Sequence, residues 1–200
     1  MKKFETLAAT AAPLFLPNVD TDVIMPKQFL KRIDREGLAE GVFHDVRRTD
    51  DGMLREDFPL NQARYQEAKI LVAGRNFGCG SSREHAVWGL LQAGIDVVIA
   101  PSFAGIFFGN CEKNGLLAIT LPEEQVSRIV DLVEGSERPE LKVDLENCQI
   151  TLPNDDVIDF EIQEARRRNL LEGRDHVETT LAKADAIRAF EATRQDPRNW

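Results

Sequence analysis

Long apolar runs are missing from this chain: no stretch approaches the roughly 20 residues that cross a bilayer, so no membrane span is expected. Met1-Lys2-Lys3-Phe4 is not followed by an extended apolar segment, so no signal peptide is expected, and a cytoplasmic location follows as the expectation. Cysteine is scarce. Cys79, Cys111 and Cys148 are odd in number, far apart and free of any C-x-x-C pair, which excludes a zinc or iron–sulfur site assembled locally. Cys111 and Cys148 read as small buried hydrophobes. Positive charge is also short. A formal net charge of -9 and a pI near 4.9 make nucleic acid an unfavoured partner, and an anionic substrate would have to be met by a few local cations. Repeats and low-complexity tracts are absent. What remains is an ordinary globular balance, 42% hydrophobic and 30% charged over 200 residues, enough for a single domain with a buried core.

The centre of the chain alternates two periodicities. Lys69–Gly74 has the length and apolar character of a strand, Arg83–Ala93 repeats apolar residues at helical spacing, and Ile95–Ala100 is β-branched and closed by Pro101. Phe103–Lys113 reads as a helix with Asn114-Gly115 as its C-terminal cap, Leu116–Thr120 as a strand, and Pro122–Glu134 as an amphipathic helix. This order implies a parallel α/β core. Around it, Phe4–Ala9 is expected as a short strand, Arg47–Asp57 as a charged loop, and Leu141–Phe160 as antiparallel strands joined by turns. The tail from about 163 to 195 is expected to be mostly helical, broken near Gly173, with a frayed end.

The densest chemical signal is the run from Gly74 through Asn76, Gly78, Gly80, Ser81, Ser82 and Arg83 to Ala86, in which a strand feeds a glycine-rich loop that opens a helix. Backbone N–H groups at such a helix start favour an anion. A P-loop is excluded because its lysine is missing, and the dinucleotide fingerprint because the glycine spacing is wrong. Ser81-x-x-Glu84 also fits a capping box, which would account for both residues without any ligand. It would not account for Arg83, since a cation in the first turn opposes the helix dipole and calls for a compensating anion, either an internal carboxylate or a ligand.

The stretch Asn76-Phe77-Gly78-Cys79-Gly80-Ser81-Ser82-Arg83-Glu84-His85-Ala86 resembles the swivelling-domain motif of the aconitase superfamily. Asn18-Val19-Asp20-Thr21-Asp22-Val23-Ile24-Met25-Pro26, running on to Phe29-Leu30, resembles the signature of the isopropylmalate dehydratase small subunits. The stretch from Ser102 to Leu117 and the tail from Leu170 to Leu181 resemble the same proteins. The resemblance implies a single β/β/α swivelling domain over residues 1–200, like the aconitase C-terminal domain, with a helical tail. It implies Ser81 as the catalytic base and Asp22 as an acid that orients the catalytic groups. Ser82, Arg83 and Arg32 would bind substrate carboxylates, with Lys31 the alternative to Arg32. Asn110 is expected to support the loop. His44 and His176 carry no expected role, His85 reads as structural, and Cys79 as a loop residue rather than a ligand.

The implied reaction moves a hydroxyl between neighbouring carbons of isopropylmalate through 2-isopropylmaleate, in leucine biosynthesis. Departure of hydroxide needs a Lewis acid. The resemblance puts that acid, a [4Fe–4S] cluster, on a separate large subunit, so the chain is expected to act in a heterodimer or larger assembly and to bind no cofactor itself. The residues after Leu30 are expected to line the substrate side-chain pocket. Two other readings stand beside this one: a related hydratase subunit for homoaconitate or citraconate, and a non-catalytic anion-binding regulatory module.

Overall fold

A computed structural model describes residues 1–31, 37–81, 83–181 and 183–193. Its strands are β1 (Leu7–Leu14), β2 (Ile70–Ala73), β3 (Val97–Ala100), β4 (Leu117–Thr120), β5 (Glu140–Asp144), β6 (Gln149–Thr151) and β7 (Val157–Asp159). Its helices are α1 (Thr21–Ile24), α2 (Glu84–Gln92), α3 (Gly105–Asn114), α4 (Glu123–Gly135), α5 (Glu164–Glu172), α6 (His176–Leu181) and α7 (Ala184–Thr193), with short 3-10 turns between β1 and β2.

The strands form one mixed sheet in the order β4-β3-β2-β1-β5-β6-β7. Strands β1 to β4 run parallel, and β5 to β7 continue antiparallel from the other side of β1. The parallel strands are buried almost throughout, as expected of strands covered on both faces. Helix α4 packs across β1, β2 and β3, placing Val126, Ile129 and Val133 in the core, while α2 packs against α3.

The parallel core and the antiparallel extension follow the sequence expectation, but the first strand does not. Phe4 donates its N–H to the Leu170 carbonyl at 2.9 Å, outside the sheet, and the strand runs instead over Leu7–Leu14. Its Ala-rich text and Pro13 conceal a central strand. Leu7–Thr10 pair with β5 and Ala11–Leu14 with β2. Ala11 N–H turns towards β5, to Pro139 O at 2.7 Å. By strand alternation the nitrogen of Pro13 faces the same side, beyond the end of that partner, where no donor is needed. Cys111 is buried as expected, whereas Cys148 is only half-buried, because it occupies the β5–β6 turn with φ 56°. Gly173 ends α5 in the left-handed conformation.

Candidate active site

The loops leaving β1, β2 and β3 lie side by side at the carboxyl ends of the parallel strands, where open α/β sheets bind their ligands. Two isolated parallel bridges, Asp20 with Cys79 and Phe77 with Phe103, carry the sheet pairing outward into these loops. Gly78 N–H donates to Val19 O at 2.8 Å and Asn18 N–H to Arg75 O at 2.9 Å. Asn76 Nδ2 donates to Asn18 Oδ1 at 2.8 Å, and Asn76 N–H donates to Ser102 Oγ at 2.9 Å. The three loops are thus tied into one surface.

Under that surface lie Phe77, Phe103 and Phe107, with ring centroids 5.4 to 6.4 Å apart. Gly78 has φ 74°, and a Cβ added there would stand 2.2 Å from Phe107 Cγ, so only glycine lets the loop lie on the ring. Gly80, with φ 85°, turns the chain next to Asp20.

Asp20 caps α1. Its Oδ1 accepts from Asp22 N–H and Val23 N–H, both at 2.8 Å. Thr21, 2% exposed, reaches the glycine loop twice: its N–H donates to Cys79 O at 2.8 Å, and its Oγ1 donates to Ser81 O at 2.7 Å. Asp22 Oδ1 pairs with Arg83 Nη1, and Lys27 Nζ stands 3.6 Å from Asp22 Oδ2. Asp22 therefore sits between two cations, one largely shielded and one exposed: the side chain of Arg83 is 19% exposed and that of Lys27 is 73% exposed.

This arrangement overturns the capping-box reading. Helix α2 begins at Glu84, and its N-cap is Arg83 in extended conformation (φ -122°, ψ 113°), with no side-chain cap. Thr21 holds the Ser81 carbonyl and Asp22 holds the Arg83 guanidinium, so the chain stays open until Glu84. Ser81 is left exposed on the loop. Glu84, free of capping duty, accepts from Asn114 Nδ2 at 2.6 Å, while Asn114 Oδ1 accepts from Trp88 Nε1 at 2.9 Å. Among the described residues, Asn114 thus braces the start of α2 from α3, and its Nδ2 also donates to Asn110 O at 2.8 Å. The anion compensating Arg83 is an internal carboxylate.

The structure brings Ser81, Asp22 and Arg83 together. Ser82 and Arg32, and the residues following Lys31 that were expected to line the pocket, lie outside the described residues. Sequence reasoning missed Thr21, Lys27 and Asn114. For Thr21 and Lys27 the available signal was their place within the same signature run as Asp22. His85 packs against Trp88 at 4.7 Å between ring centroids, and His44 packs against Phe29 at 5.0 Å.

The cysteines do not fit a cluster. Burial first, and the Asp20 charge second, push the Cys79 thiol above its ordinary range, which disfavours the thiolate a metal needs. Cys111 is enclosed in the core, with its thiol pushed still further up by burial, and Cys148 lies in the β5–β6 turn. Among the described residues, no three His, Cys, Asp or Glu side chains gather to hold a metal ion, and no helix is long and apolar enough to cross a membrane.

Known proteins share this architecture and its sequence. Residues 1–124 match the family model of the aconitase C-terminal domain and residues 127–164 a LeuD_N model. Residues 179–200 match the model for the C-terminal domain of the 3-isopropylmalate dehydratase small subunit. The 3-isopropylmalate dehydratase small subunit of Jannaschia sp. strain CCS1 is 52% identical over 200 residues, covering 100% of both chains. That of Paramagnetospirillum magneticum is 51% identical, again over 100% of both. A crystal structure of 3-isopropylmalate dehydratase from Methanocaldococcus jannaschii superposes with a TM-score of 0.65 at 30% identity, covering 93% of this chain and 99% of that one. Identity at this level over the full length of such relatives establishes that the chain belongs to the family of 3-isopropylmalate dehydratase small subunits.

Proposed function

We propose that this chain is the small subunit of a 3-isopropylmalate dehydratase, a hydro-lyase that interconverts 2- and 3-isopropylmalate through 2-isopropylmaleate in leucine biosynthesis. Ser81 is the base. Its alkoxide takes the proton from the carbon next to a substrate carboxylate and returns it in the reverse step. A serine hydroxyl is a weak base until its anion is stabilised. Here Arg83 stands two residues away and the start of α2 follows it directly, two positive fields on one loop.

The observation that carries this reading is the double tether between the two loops: Thr21 holds the Ser81 carbonyl at 2.7 Å while Asp22 holds Arg83. It fixes the base and the cation relative to one another before substrate arrives. Preorganisation of this kind spares reorganisation during the reaction. In this scheme Asp22 acts as a positioning residue through Arg83, and Arg83, Ser82 and Arg32 receive the substrate carboxylates. The Lewis acid needed by the departing hydroxyl is assigned to a [4Fe–4S] cluster on the large subunit, since the cysteines of this chain do not fit one. Exposure of Ser81 supports a site completed by that partner, because an exposed alkoxide would be quenched by water.

The test is Ser81→Ala in the two-subunit enzyme. Loss of turnover on the order of 10²–10⁴-fold, with assembly unchanged by gel filtration, is the expected outcome for a base. Since Ser81 does not cap α2, the fold should lose well under the ~1 kcal/mol of a missing cap. Turnover within a few-fold of the parent would remove Ser81 from the chemistry and favour a non-catalytic role.

A further inference from the structure

Arg166, on the inner face of α5, is a cation that the proposed reaction does not use. It is only 4% exposed, and its guanidinium carbon lies 3.9 Å from the centre of the Phe108 ring. Its Nε and Nη2 are buried and have no hydrogen-bond partner among the described residues. Contrast Arg47, whose Nε donates to Asn61 Oδ1 at 2.9 Å. Burial holds the Arg166 pKa below its ordinary value, with Cys111 and Glu112 offsetting part of the effect, and a guanidinium remains charged even so. Burying a charge with two unused donors is costly, and an anion that reached them would relieve that cost.

Arg166 lines a recess of about 400 Å³, within the range of small-molecule sites, with its two unpartnered donors just beneath the recess surface. Phe108 of α3, Ala118 and Thr120 of the edge strand β4, and Glu161 and Ile162 ahead of α5 form its walls. We propose that this recess is a binding site for a small monocarboxylate with an apolar body, for which the Arg166 guanidinium turns outward so that Nε and Nη2 grip the carboxylate side-on. Two parallel N–H donors in one plane match the two oxygens of a carboxylate. Phe108, Ala118 and Ile162 provide the apolar wall. Glu161 at the recess and Glu112 within electrostatic reach of Arg166 disfavour a dianion, which selects a singly charged ligand over phosphate.

The test uses the full chain, isotopically labelled, with 3-methylbutanoate and inorganic phosphate as probes at matched ionic strength. Saturable amide shifts at Ala118, Thr120 and Ile162 in millimolar 3-methylbutanoate are expected, and none with phosphate. Arg166→Met should weaken the binding by at least about tenfold, the loss of one bidentate charge-assisted contact. Arg166→Lys, which keeps the charge but not the fork, should weaken it too and covers the case in which the first variant fails to fold. Absence of saturable shifts at these amides, shifts confined to the Ser81 loop, equal response to phosphate, or binding retained in both variants would each overturn the proposal.

Discussion

Asp22 connects two stretches sixty residues apart, and its carboxylate on Arg83 is the residue-level hinge of the proposed site. A charge-assisted hydrogen bond contributes about 1.5–3 kcal/mol, so Asp22→Asn should lower kcat/KM by roughly 10- to 100-fold, with circular dichroism unchanged. A value within twofold of the parent would show that Arg83 needs no such anchor. Arg83→Lys should not rescue function, because lysine lacks the planar fork. Cys79 offers a separate check by pH. Its thiol pKa is raised by burial and then by Asp20, so at a given pH less thiolate is present than in free cysteine. Alkylation by iodoacetamide at neutral pH should be slower than for the free amino acid, with the rate climbing only above the ordinary thiol range. Asp20→Asn keeps a capping oxygen for α1 and should move that climb to lower pH. Faster alkylation than free cysteine would mark Cys79 as an activated thiol.

At the level of elements, the parallel core was legible because buried strands and amphipathic helices write different periods into the chain. Ile129 and Val133, at helical spacing, are buried in α4 as that spacing requires. Strand β1 was illegible because Ala-Thr-Ala-Ala-Pro has weak strand propensity, and its place is set by pairing on both sides. The start of α2 was misread for a related reason. A capping box is a local pattern, and here two contacts from the distant helix α1 overrule it. That Arg83 needs a compensating anion was readable from its place in the first helical turn, but the identity of that anion, the Asp22 carboxylate, was not, because spacing says nothing about partners so far along the chain. The loop's seat can be probed directly. Gly78→Ala meets Phe107 Cγ at 2.2 Å and also leaves a non-glycine residue at φ 74°. Overpacking and the left-handed backbone together should cost at least about 2 kcal/mol in urea unfolding. Adding Phe107→Ala should relieve the clash but not the backbone strain, so the two changes should be non-additive. Simple additivity would show that the loop does not rest on that ring.

For the whole molecule, a net charge of -9 disfavours a dicarboxylate on average, and Arg83 and Lys27 gathered at Asp22 offer it a local pair of cations. Ser81 lies exposed at that point, on a surface of three tied loops. In the proposed function such a surface is half of a site. The most direct measurement is hydration of 2-isopropylmaleate, followed by loss of its absorbance, with this chain alone, with a cluster-loaded large subunit alone, and with the two mixed. A shared site predicts turnover only in the mixture. Comparable turnover by either protein alone, or none in the mixture with a folded chain and an intact cluster, would contradict it.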